Sequence, residues 1–336
     1  MHQRIGFVVG AVSLMLAMGS SPALAVPVVA TAEAVTVTKA ATAQRVSPGA
    51  SVLPSQPSQS RPLIAVAHRG ASGHAPENTI AAIDAAHRLG AETVEVDVQL
   101  TSDDQLVLMH DTRLDRTTNV AEVFPNRAPY DVGDFTLAEI RRLDAGSSFG
   151  DSFAGERVPL LSQALNRLER HGMNLLLEVK EPALYPGIEN RISDELARHP
   201  HWLLPNAPDQ PSRIVVQSFD WEFTERSKKL LPSLPHALLG KVPESRIAEF
   251  DWAHMINPNH TTIDAAYVRR VHDAGLEIMP YTINDPKVMG RVLAMGVDGF
   301  ITDYPDRGQK AIEDFLNESG GAREEEPEPV GAPVTD

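Results

Sequence analysis

The chain has 336 residues, of which 42% are apolar, and its 45 acidic side chains outnumber 30 basic ones to give a net charge of −15. This negative balance argues against a surface that binds nucleic acid or docks on anionic lipid. Cysteine is absent, which excludes a disulfide framework. A hydrophobic core of the size that this length allows must therefore stabilise the fold.

The N-terminus predicts a signal peptide. Arg4 supplies a positive charge, residues 5–18 form a short apolar run, and an A-x-A sequence ends at Ala25. This order is typical of a secretory signal, so we assign residues 1–25 to it, with cleavage near Ala25. The apolar run is shorter than the roughly 20 residues that span a bilayer. We therefore expect an exported protein, periplasmic or secreted, without stable membrane insertion.

Two further segments differ in composition from the middle of the chain. Residues 26–60 are rich in Ala, Val, Thr, Ser, Pro and Gln and show no hydrophobic period, which predicts a flexible linker. Residues 318–336 are charged and rich in Pro and Gly, which predicts a disordered acidic tail. A single domain at residues 61–317 is the simplest organisation of what lies between them.

Short apolar runs alternate with amphipathic stretches throughout this domain. The strand-like runs are Leu63–His68, Thr93–Leu100, Leu106–His110, Asn174–Lys180, Arg213–Ser218, His236–Leu239, His254–Asn257, Glu277–Ile283 and Gly299–Thr302. Helices are predicted between most of them, for example at Asn78–Leu89 and, after a capping box, from Thr136. Strand–helix alternation over about 250 residues predicts an α/β fold, a TIM-type (β/α)8 barrel.

The second and third runs do not fit a regular barrel. Only 13 positions separate Asp97 from His110, too few for a crossover helix between two parallel strands. Nine runs also exceed eight strands by one. We therefore expect a barrel that is irregular at strands 2–3, where one run is peripheral or belongs to a hairpin. A doubly wound open sheet is the alternative, but the sequence has no glycine-rich phosphate loop to favour it.

Ionisable residues end four successive runs, although strand interiors in a parallel sheet are apolar. They are His68 and Arg69 at the end of the first run, Glu95 and Asp97 in the second, His110 and Asp111 at the end of the third, and Glu178 and Lys180 at the end of the fourth. One histidine at a strand end is more often a structural side chain. Their joint occurrence predicts an active site at the C-terminal rim, where barrel enzymes carry theirs.

The three carboxylates predict a metal site. Two like charges about 4 Å apart repel by about 4 kcal/mol at an effective dielectric constant of 20, so Glu95, Asp97 and Glu178 need a positive partner. Carboxylate oxygens are the ligands that Ca²⁺ and Mg²⁺ prefer. Zinc is less suited, because cysteine is absent and carboxylates outnumber histidines. We expect one divalent cation, Ca²⁺ or Mg²⁺.

The two histidines are suited to phosphoryl chemistry. One imidazole, of His68 or His110, can take a proton from an attacking oxygen while the other gives a proton to the leaving oxygen. Arg69 and Lys180, together with the cation, can neutralise the phosphate and the charge that develops on it.

Several motifs resemble the glycerophosphodiester phosphodiesterase family. HRGASGHAPENT (68–79) and ETVEVDVQLTSDDQLVLMHDTRLDRTTN (92–119) carry the resemblance, which continues to GVDGFITDYPD (296–306) and covers about residues 62–315. It implies a TIM barrel with an insertion after the third strand, at about residues 112–159. It also implies hydrolysis of substrates such as glycerophosphocholine and glycerophosphoethanolamine to glycerol 3-phosphate and an alcohol.

The resemblance also implies roles for ten residues. His68 and His110 form the acid/base pair, Glu95, Asp97 and Glu178 bind the cation, Arg69 and Lys180 hold the phosphate, and Glu77, Asn78 and Tyr281 shape the site. In the family's usual mechanism the glycerol 2-hydroxyl attacks phosphorus, and water opens the cyclic phosphodiester; direct attack by water stays open as the alternative. Tyr281 stands where the family usually has tryptophan, which leaves the preferred head group open.

Two alternatives differ in function from this interpretation. One is a related lipid phosphodiesterase, lysophospholipase D-like or phospholipase C-like. The other is a barrel without catalysis that binds a ligand in the cell envelope. The expected partner is a small-molecule glycerophosphodiester rather than nucleic acid, and the oligomeric state stays open.

Overall fold

A computed structural model of the protein describes residues 61–321. The predicted signal peptide and linker lie outside the described residues, and so does the predicted acidic tail beyond residue 321. The last described helix ends at Gly321, four residues past the boundary predicted for the domain.

The described strands form one sheet. They are β1 Ile64–Ala67, β2 Thr93–Leu100, β3 Leu106–Leu108, β4 Asn174–Val179, β5 Ile214–Ser218, β6 His236–Leu239, β7 Met255–Asn257, β8 Glu277–Ile278 and β9 Gly299–Thr302. All except β3 are parallel and follow the order β8-β7-β6-β5-β4-β2-β1-β9. Backbone hydrogen bonds from Ile301 N to Pro280 O and from Ile283 N to Ile301 O, both 2.9 Å long, connect the segment after β8 to β9. The sheet thus closes into the predicted TIM-type barrel.

Helices follow most of the barrel strands. They are α1 Ile80–Arg88, α2 Val120–Val123, α3 Leu137–Ile140, α4 Leu161–His171, α5 Ile188–Arg198, α6 Trp221–Leu230, α7 Ala265–Asp273, α8 Pro286–Met295 and α9 Pro305–Gly321. Local sequence explains their starts: Thr79 Oγ1 accepts a hydrogen bond from Ala82 N at the start of α1, and the predicted capping box of Thr136 and Glu139 opens α3.

Alternation along the strands separates two apolar layers. On β4, Leu175 and Leu177 pack in the layer beneath the helices, whereas Leu176 packs in the barrel interior with Val66, Val215, Ala237, Met255, Met279 and Ile301. Because every second residue of a strand shares a face, Glu178 follows Leu176 on the interior side. The same alternation on β2, where Val94, Val96 and Val98 pack beneath the helices, puts Glu95 and Asp97 on the interior side.

Strand β3 is the exception that the short spacing predicted. It pairs antiparallel with β2, with Val98 opposite Leu108, so the two strands form a hairpin that extends beyond the barrel. The third of the four runs that end in ionisable residues is therefore not a barrel strand. His110 reaches the rim because β3 returns along β2, with Met109 N bonded to Asp97 O at 3.1 Å.

The segment between β3 and α4 has an apolar cluster of its own. The segment contains α2 and α3. Together with Val107 of β3, the buried members of the cluster are Met109, Leu114, Val120, Tyr130, Val132, Phe135, Ile140, Leu143, Ala145 and Val158. This is the insertion expected after the third strand. Among residues 61–321, no helix combines the length and the apolar character needed to cross a membrane.

Candidate active site

A cleft opens at the C-terminal ends of the barrel strands and contains about 510 Å³ of space between protein atoms. Its lining comprises His68, Arg69, Glu95, His110, Glu178, Lys180, Gln217, Phe219, Leu239, Tyr281, Thr282 and Ile301. Seven of the ten residues predicted for the site are in this lining. The other three, Asp97, Glu77 and Asn78, bond to members of the lining or to one another just behind it.

Three carboxylates meet at the floor of the cleft. Glu95, Asp97 and Glu178 are all buried, and each offers an oxygen within 4.8 Å of the others. Among the described residues, Glu95 Oε1 and Asp97 Oδ1 have no hydrogen-bond partner. Burial, and then the charges of Asp97 and Glu178, raise the pKa of Glu95 well above its ordinary value. Burial and the charge of Asp97 likewise raise the pKa of Glu178 to about 7, against the opposing effect of Lys180.

This arrangement fits a hard divalent cation. The donor set consists of oxygen alone, as Ca²⁺ and Mg²⁺ prefer, and two of its oxygens lack the partner that a buried polar atom normally has. A bound cation would satisfy those oxygens and relieve the repulsion among the three charges.

The loop after β1 holds the carboxylates in place. Arg69 N donates a 2.8 Å hydrogen bond to Glu95 Oε2. Asn78 Nδ2 donates a 2.8 Å bond to Asp97 Oδ2, and its Oδ1 accepts a 3.0 Å bond from Asp97 N. Asn78 has φ +56°, a left-handed conformation that asparagine adopts more readily than most residues. This double contact fixes the Asp97 carboxylate, and the site-shaping role of Asn78 stays a prediction.

Each of the two histidines bonds to an aspartate. His68 Nδ1 lies 2.6 Å from Asp303 Oδ1, in the segment after β9. Asp303 also accepts hydrogen bonds from Ser72 Oγ at 2.9 Å and Asn284 Nδ2 at 2.6 Å. Burial alone would raise the pKa of Asp303, but the hydrogen bonds from His68, Asn284 and Ser72 outweigh it and lower that pKa to about 2. Asp303 is therefore an anion at neutral pH.

His110 has a similar environment. Its Nδ1 lies 2.6 Å from Asp111 Oδ1, and its Nε2 lies 3.2 Å from Lys180 Nζ. A hydrogen bond from Arg116 is the main reason that the pKa of Asp111 is lowered to about 2. Burial lowers the pKa of His110 itself, which favours the neutral imidazole. Lys180 also donates a 2.5 Å bond to Glu178 Oε1 and so links His110 to the carboxylates.

Aromatic side chains form one wall of the cleft. Phe219, after β5, is 54% exposed, and its ring is perpendicular to that of Tyr281 with centroids 5.9 Å apart. Lys180 Nζ lies 5.5 Å from the centre of the Phe219 ring. The sequence predicted Tyr281 at this wall but did not predict Phe219.

Two polar side chains near the histidines, Asp303 and Arg116, were not predicted, and Asp111 was predicted only as an ionisable residue at a strand end, without a role. Asp303 and Asp111 bond to the histidines, and Arg116 bonds to Asp111. Signals for two of them existed: Asp303 follows the ninth predicted strand at the same rim, and Asp111 directly follows His110. For Arg116, which lies in the inserted segment, no strand-end pattern was available.

Fold and site together define a TIM-barrel protein whose rim carries two histidine–aspartate pairs around a cluster of buried carboxylates. The model of the glycerophosphoryl diester phosphodiesterase family matches residues 68–307. The chain belongs to this family.

Individual relatives agree with that assignment. YhdW of Bacillus subtilis is 39% identical over 247 residues, which cover 72% of this chain and 94% of the relative. The glycerophosphodiester phosphodiesterase of Caldanaerobacter subterraneus is 37% identical over 247 residues, 72% of this chain and 95% of its own. Among solved structures, an Oleispira antarctica phosphodiesterase in complex with the product sn-glycerol-3-phosphate has a TM-score of 0.65 and 29% identity, and covers 74% of this chain and 96% of its own.

Proposed function

We propose that the protein is a glycerophosphodiester phosphodiesterase that releases glycerol 3-phosphate and an alcohol and uses one divalent cation. One observation carries the proposal: two histidine–aspartate pairs and three buried carboxylates line or support a single cleft. The family assignment supports phosphodiesterase activity, and the product complex of the Oleispira protein supports a small glycerophosphate ligand.

Glu95, Asp97 and Glu178 would hold the cation. When bound, Ca²⁺ or Mg²⁺ supplies positive charge that offsets the charge of the phosphodiester and of its transition state. Arg69 and Lys180 add fixed positive charges at the same cleft. Each already pairs with a carboxylate, Arg69 with Glu77 at 3.0 Å and Lys180 with Glu178 at 2.5 Å, so these carboxylates orient them.

The hydrogen bonds of the two histidines support an assignment of the ring nitrogens that transfer protons. Asp303 and Asp111 are ionised and can only accept, so each histidine in its neutral form carries its proton on Nδ1 and can accept at Nε2. Nε2 of His110 lies 3.2 Å from Lys180 Nζ, which donates to it. One Nε2 takes the proton of the attacking hydroxyl as its oxygen bonds to phosphorus. The other imidazole, in its protonated form, gives its proton to the alcohol oxygen as the old P–O bond breaks. Attack by water gives glycerol 3-phosphate directly, whereas attack by the glycerol 2-hydroxyl gives a cyclic phosphodiester that water then opens to glycerol 3-phosphate. The paired aspartates stabilise whichever imidazolium forms.

We propose that the aromatic wall of the cleft contacts the head group of the substrate and so determines which head groups are accepted. Phe219 and Tyr281 present ring surfaces at the cleft, and aromatic faces attract quaternary and primary ammonium groups. We therefore propose glycerophosphocholine and glycerophosphoethanolamine as substrates. The predicted signal peptide supports action outside the cytoplasm, in the periplasm or the medium.

The test is release of glycerol 3-phosphate from glycerophosphocholine by the full-length protein, first with EDTA and then with added Ca²⁺ or Mg²⁺. We expect turnover that EDTA abolishes and the cation restores. Lysophosphatidylcholine is assayed in parallel, and its hydrolysis in place of glycerophosphocholine would favour the lipid phosphodiesterase alternative. Failure to hydrolyse any glycerophosphodiester with the cation restored would refute the proposal.

A further inference from the structure

We propose that Arg116 is a positioning residue, which holds His110 and Arg69 in fixed relative positions through the carboxylates of Asp111 and Glu77. The inference rests on the proposed function, since it assigns a role within that site. It concerns a side chain of the inserted segment, outside the lining of the cleft.

Arg116 binds two carboxylates with one guanidinium group. Toward Asp111, its Nε donates a 2.5 Å bond to Oδ2 and its Nη2 a 3.0 Å bond to Oδ1. Toward Glu77, its Nη1 donates a 2.7 Å bond to Oε2 and its Nη2 a 2.6 Å bond to Oε1. Both pairs are bidentate, a geometry that the planar fork of arginine permits and that the point charge of lysine does not.

Both carboxylates continue to the residues that line the cleft. Asp111 Oδ1 also bonds to His110 Nδ1 at 2.6 Å, and Glu77 Oε1 also accepts a 3.0 Å bond from Arg69 Nη1. A continuous chain of hydrogen bonds therefore runs from the His110 imidazole through Arg116 to the Arg69 guanidinium. These are the acid/base and phosphate-binding groups of the proposed reaction.

The local fold explains why such a connection is needed. His110 follows β3, which has only three residues and pairs with β2 outside the parallel barrel. Glu77 and Arg69 belong to the loop after β1. Asp111 and Glu77 bond to the same guanidinium group, so removal of Arg116 would leave two neighbouring carboxylates with less compensating charge, and like charges repel. Arg116 thus joins the hairpin side of the cleft to the β1 side.

The charge of Arg116 also acts on both carboxylates. Its hydrogen bond is the largest cause of the lowered pKa of Asp111. Burial would raise the pKa of Glu77, but Arg116 and Arg69 outweigh burial and lower it. Both groups therefore stay ionised and able to accept from His110 and Arg69. The side chain of Arg116 is 46% exposed, so its truncation leaves the apolar core untouched.

The experiment compares Arg116→Ala and Arg116→Lys with a matched control, Arg113→Ala, in the full-length enzyme. Arg113 lies on the same segment, is 48% exposed and pairs with Asp115 at 2.9 Å, away from the cleft lining. We expect Arg116→Ala to lower kcat/KM roughly 100-fold, as misplacement of reacting groups by about 1 Å does. Lysine should recover part of that loss, and Arg113→Ala should keep the wild-type kcat and KM.

Double variants show whether Arg116 acts through its two carboxylates. In an Asp111→Ala background, adding Arg116→Ala should cause no further fall in kcat. In a Glu77→Ala background it should cause no further rise in KM, because Arg69 has already lost its carboxylate partner. A purely structural role would instead add its full cost in both backgrounds, and that result would overturn the proposal. Wild-type kcat and KM in Arg116→Ala would overturn it as well.

Two further measurements cover the remaining outcomes. If Arg116→Ala does not fold by circular dichroism, Arg116→Gln replaces it, since glutamine keeps a long polar side chain without the bidentate fork. If the wild type hydrolyses no glycerophosphodiester, the proposed function fails separately, and calorimetric titration with sn-glycerol 3-phosphate tests Arg116. Binding at least tenfold weaker in Arg116→Ala than in Arg113→Ala supports the inference, and equal binding refutes it.

Discussion

The two ends of the barrel differ in how their charged side chains are paired. At the C-terminal rim, Glu95, Asp97 and Glu178 lie within 4.8 Å of one another, and two of their oxygens lack a partner among the described residues. At the N-terminal end, Arg61 Nη1 donates a 2.8 Å bond to Glu277 Oε1, and His254 Nε2 lies 3.3 Å from Glu277 Oε2. One end concentrates like charge, and the other neutralises it.

The pKa values of the carboxylates at the two ends shift in opposite directions. Burial raises the pKa of Glu95 and Glu178, and the charges of neighbouring carboxylates raise it further. Burial acts on Glu277 too, but bonds and charges from His254 and Arg61 outweigh it, and the pKa of Glu277 is lowered. A cluster of like charges that neighbouring cations compensate only in part favours an external positive partner, whereas a fully paired charge favours a structural role. The comparison predicts that substitutions at the C-terminal rim have large effects on activity, whereas substitutions at the N-terminal end affect only stability.

The largest effect is expected at the carboxylates. Asp97→Asn should lower kcat/KM by roughly 10³-fold or more, because it removes a ligand of the cation that supplies several kcal/mol of transition-state stabilisation. We expect Ca²⁺ or Mg²⁺ to raise the melting temperature of the wild type, and Asp97→Asn should abolish that rise. Asp104→Asn, at the exposed turn of the β2–β3 hairpin, is the matched control. A cation-dependent rise that persists in Asp97→Asn would contradict the metal site.

The next largest effect on activity is expected from substitution of the two histidines. His68→Ala and His110→Ala are each expected to lower kcat roughly 10²- to 10⁴-fold, the usual contribution of a general acid or base, without a change in the circular dichroism spectrum. His199→Ala, which removes a histidine paired with Glu195 at 3.1 Å at the end of α5, should leave kcat unchanged. Turnover at the wild-type rate in His110→Ala would rule out its proton-transfer role.

A buried histidine away from the rim should affect stability as a function of pH. Burial lowers the pKa of His236 to about 4. Its Nδ1 donates to Leu234 O at 3.0 Å, and its Nε2 accepts from Ser227 Oγ at 2.9 Å. Its ordinary pKa is 6.5, so the unfolded chain binds the additional proton first. The contribution of His236 to the free energy of unfolding is therefore complete above pH 6.5. It decreases by about 3 kcal/mol in total as the pH falls from 6.5 to 4.

Denaturant unfolding at several pH values measures this effect. His236→Gln should lower the free energy of unfolding at pH 7 and flatten its dependence between pH 6.5 and 4. An unchanged slope in the variant would assign the acid sensitivity to other groups.

The smallest effect is expected at the neutralised end. Arg61→Ala should lower the free energy of unfolding by about 1 kcal/mol, since the pair with Glu277 is partly exposed, and should leave kcat and KM unchanged. Chemical denaturation and the glycerophosphocholine assay check the two halves of this prediction. A loss of activity in Arg61→Ala would break the distinction between the two ends.

Most of the fold and the carboxylate cluster could be predicted from local sequence. Each of the nine apolar runs contains a strand, and the spacing of Asp97 and His110 indicated that β3 could not be a regular barrel strand. The alternation of side chains along β2 and β4 is also local, so the shared face of Glu95 and Asp97 followed from their separation by two residues. The roles of all ten site residues stay predictions until the variants are assayed.

The sequence by itself determined the strand runs, the family motifs and the polar strand ends, because these depend on neighbours a few residues apart. Only the tertiary structure decided which distant groups meet. Asp303 lies 235 positions after His68 and reaches it because the last barrel strand pairs with the first. Arg116 lies 39 positions after Glu77 and reaches it because the β2–β3 hairpin returns to the rim. Closure of the barrel and direction of the hairpin are non-local properties, and they give each histidine its aspartate and Asp111 its arginine.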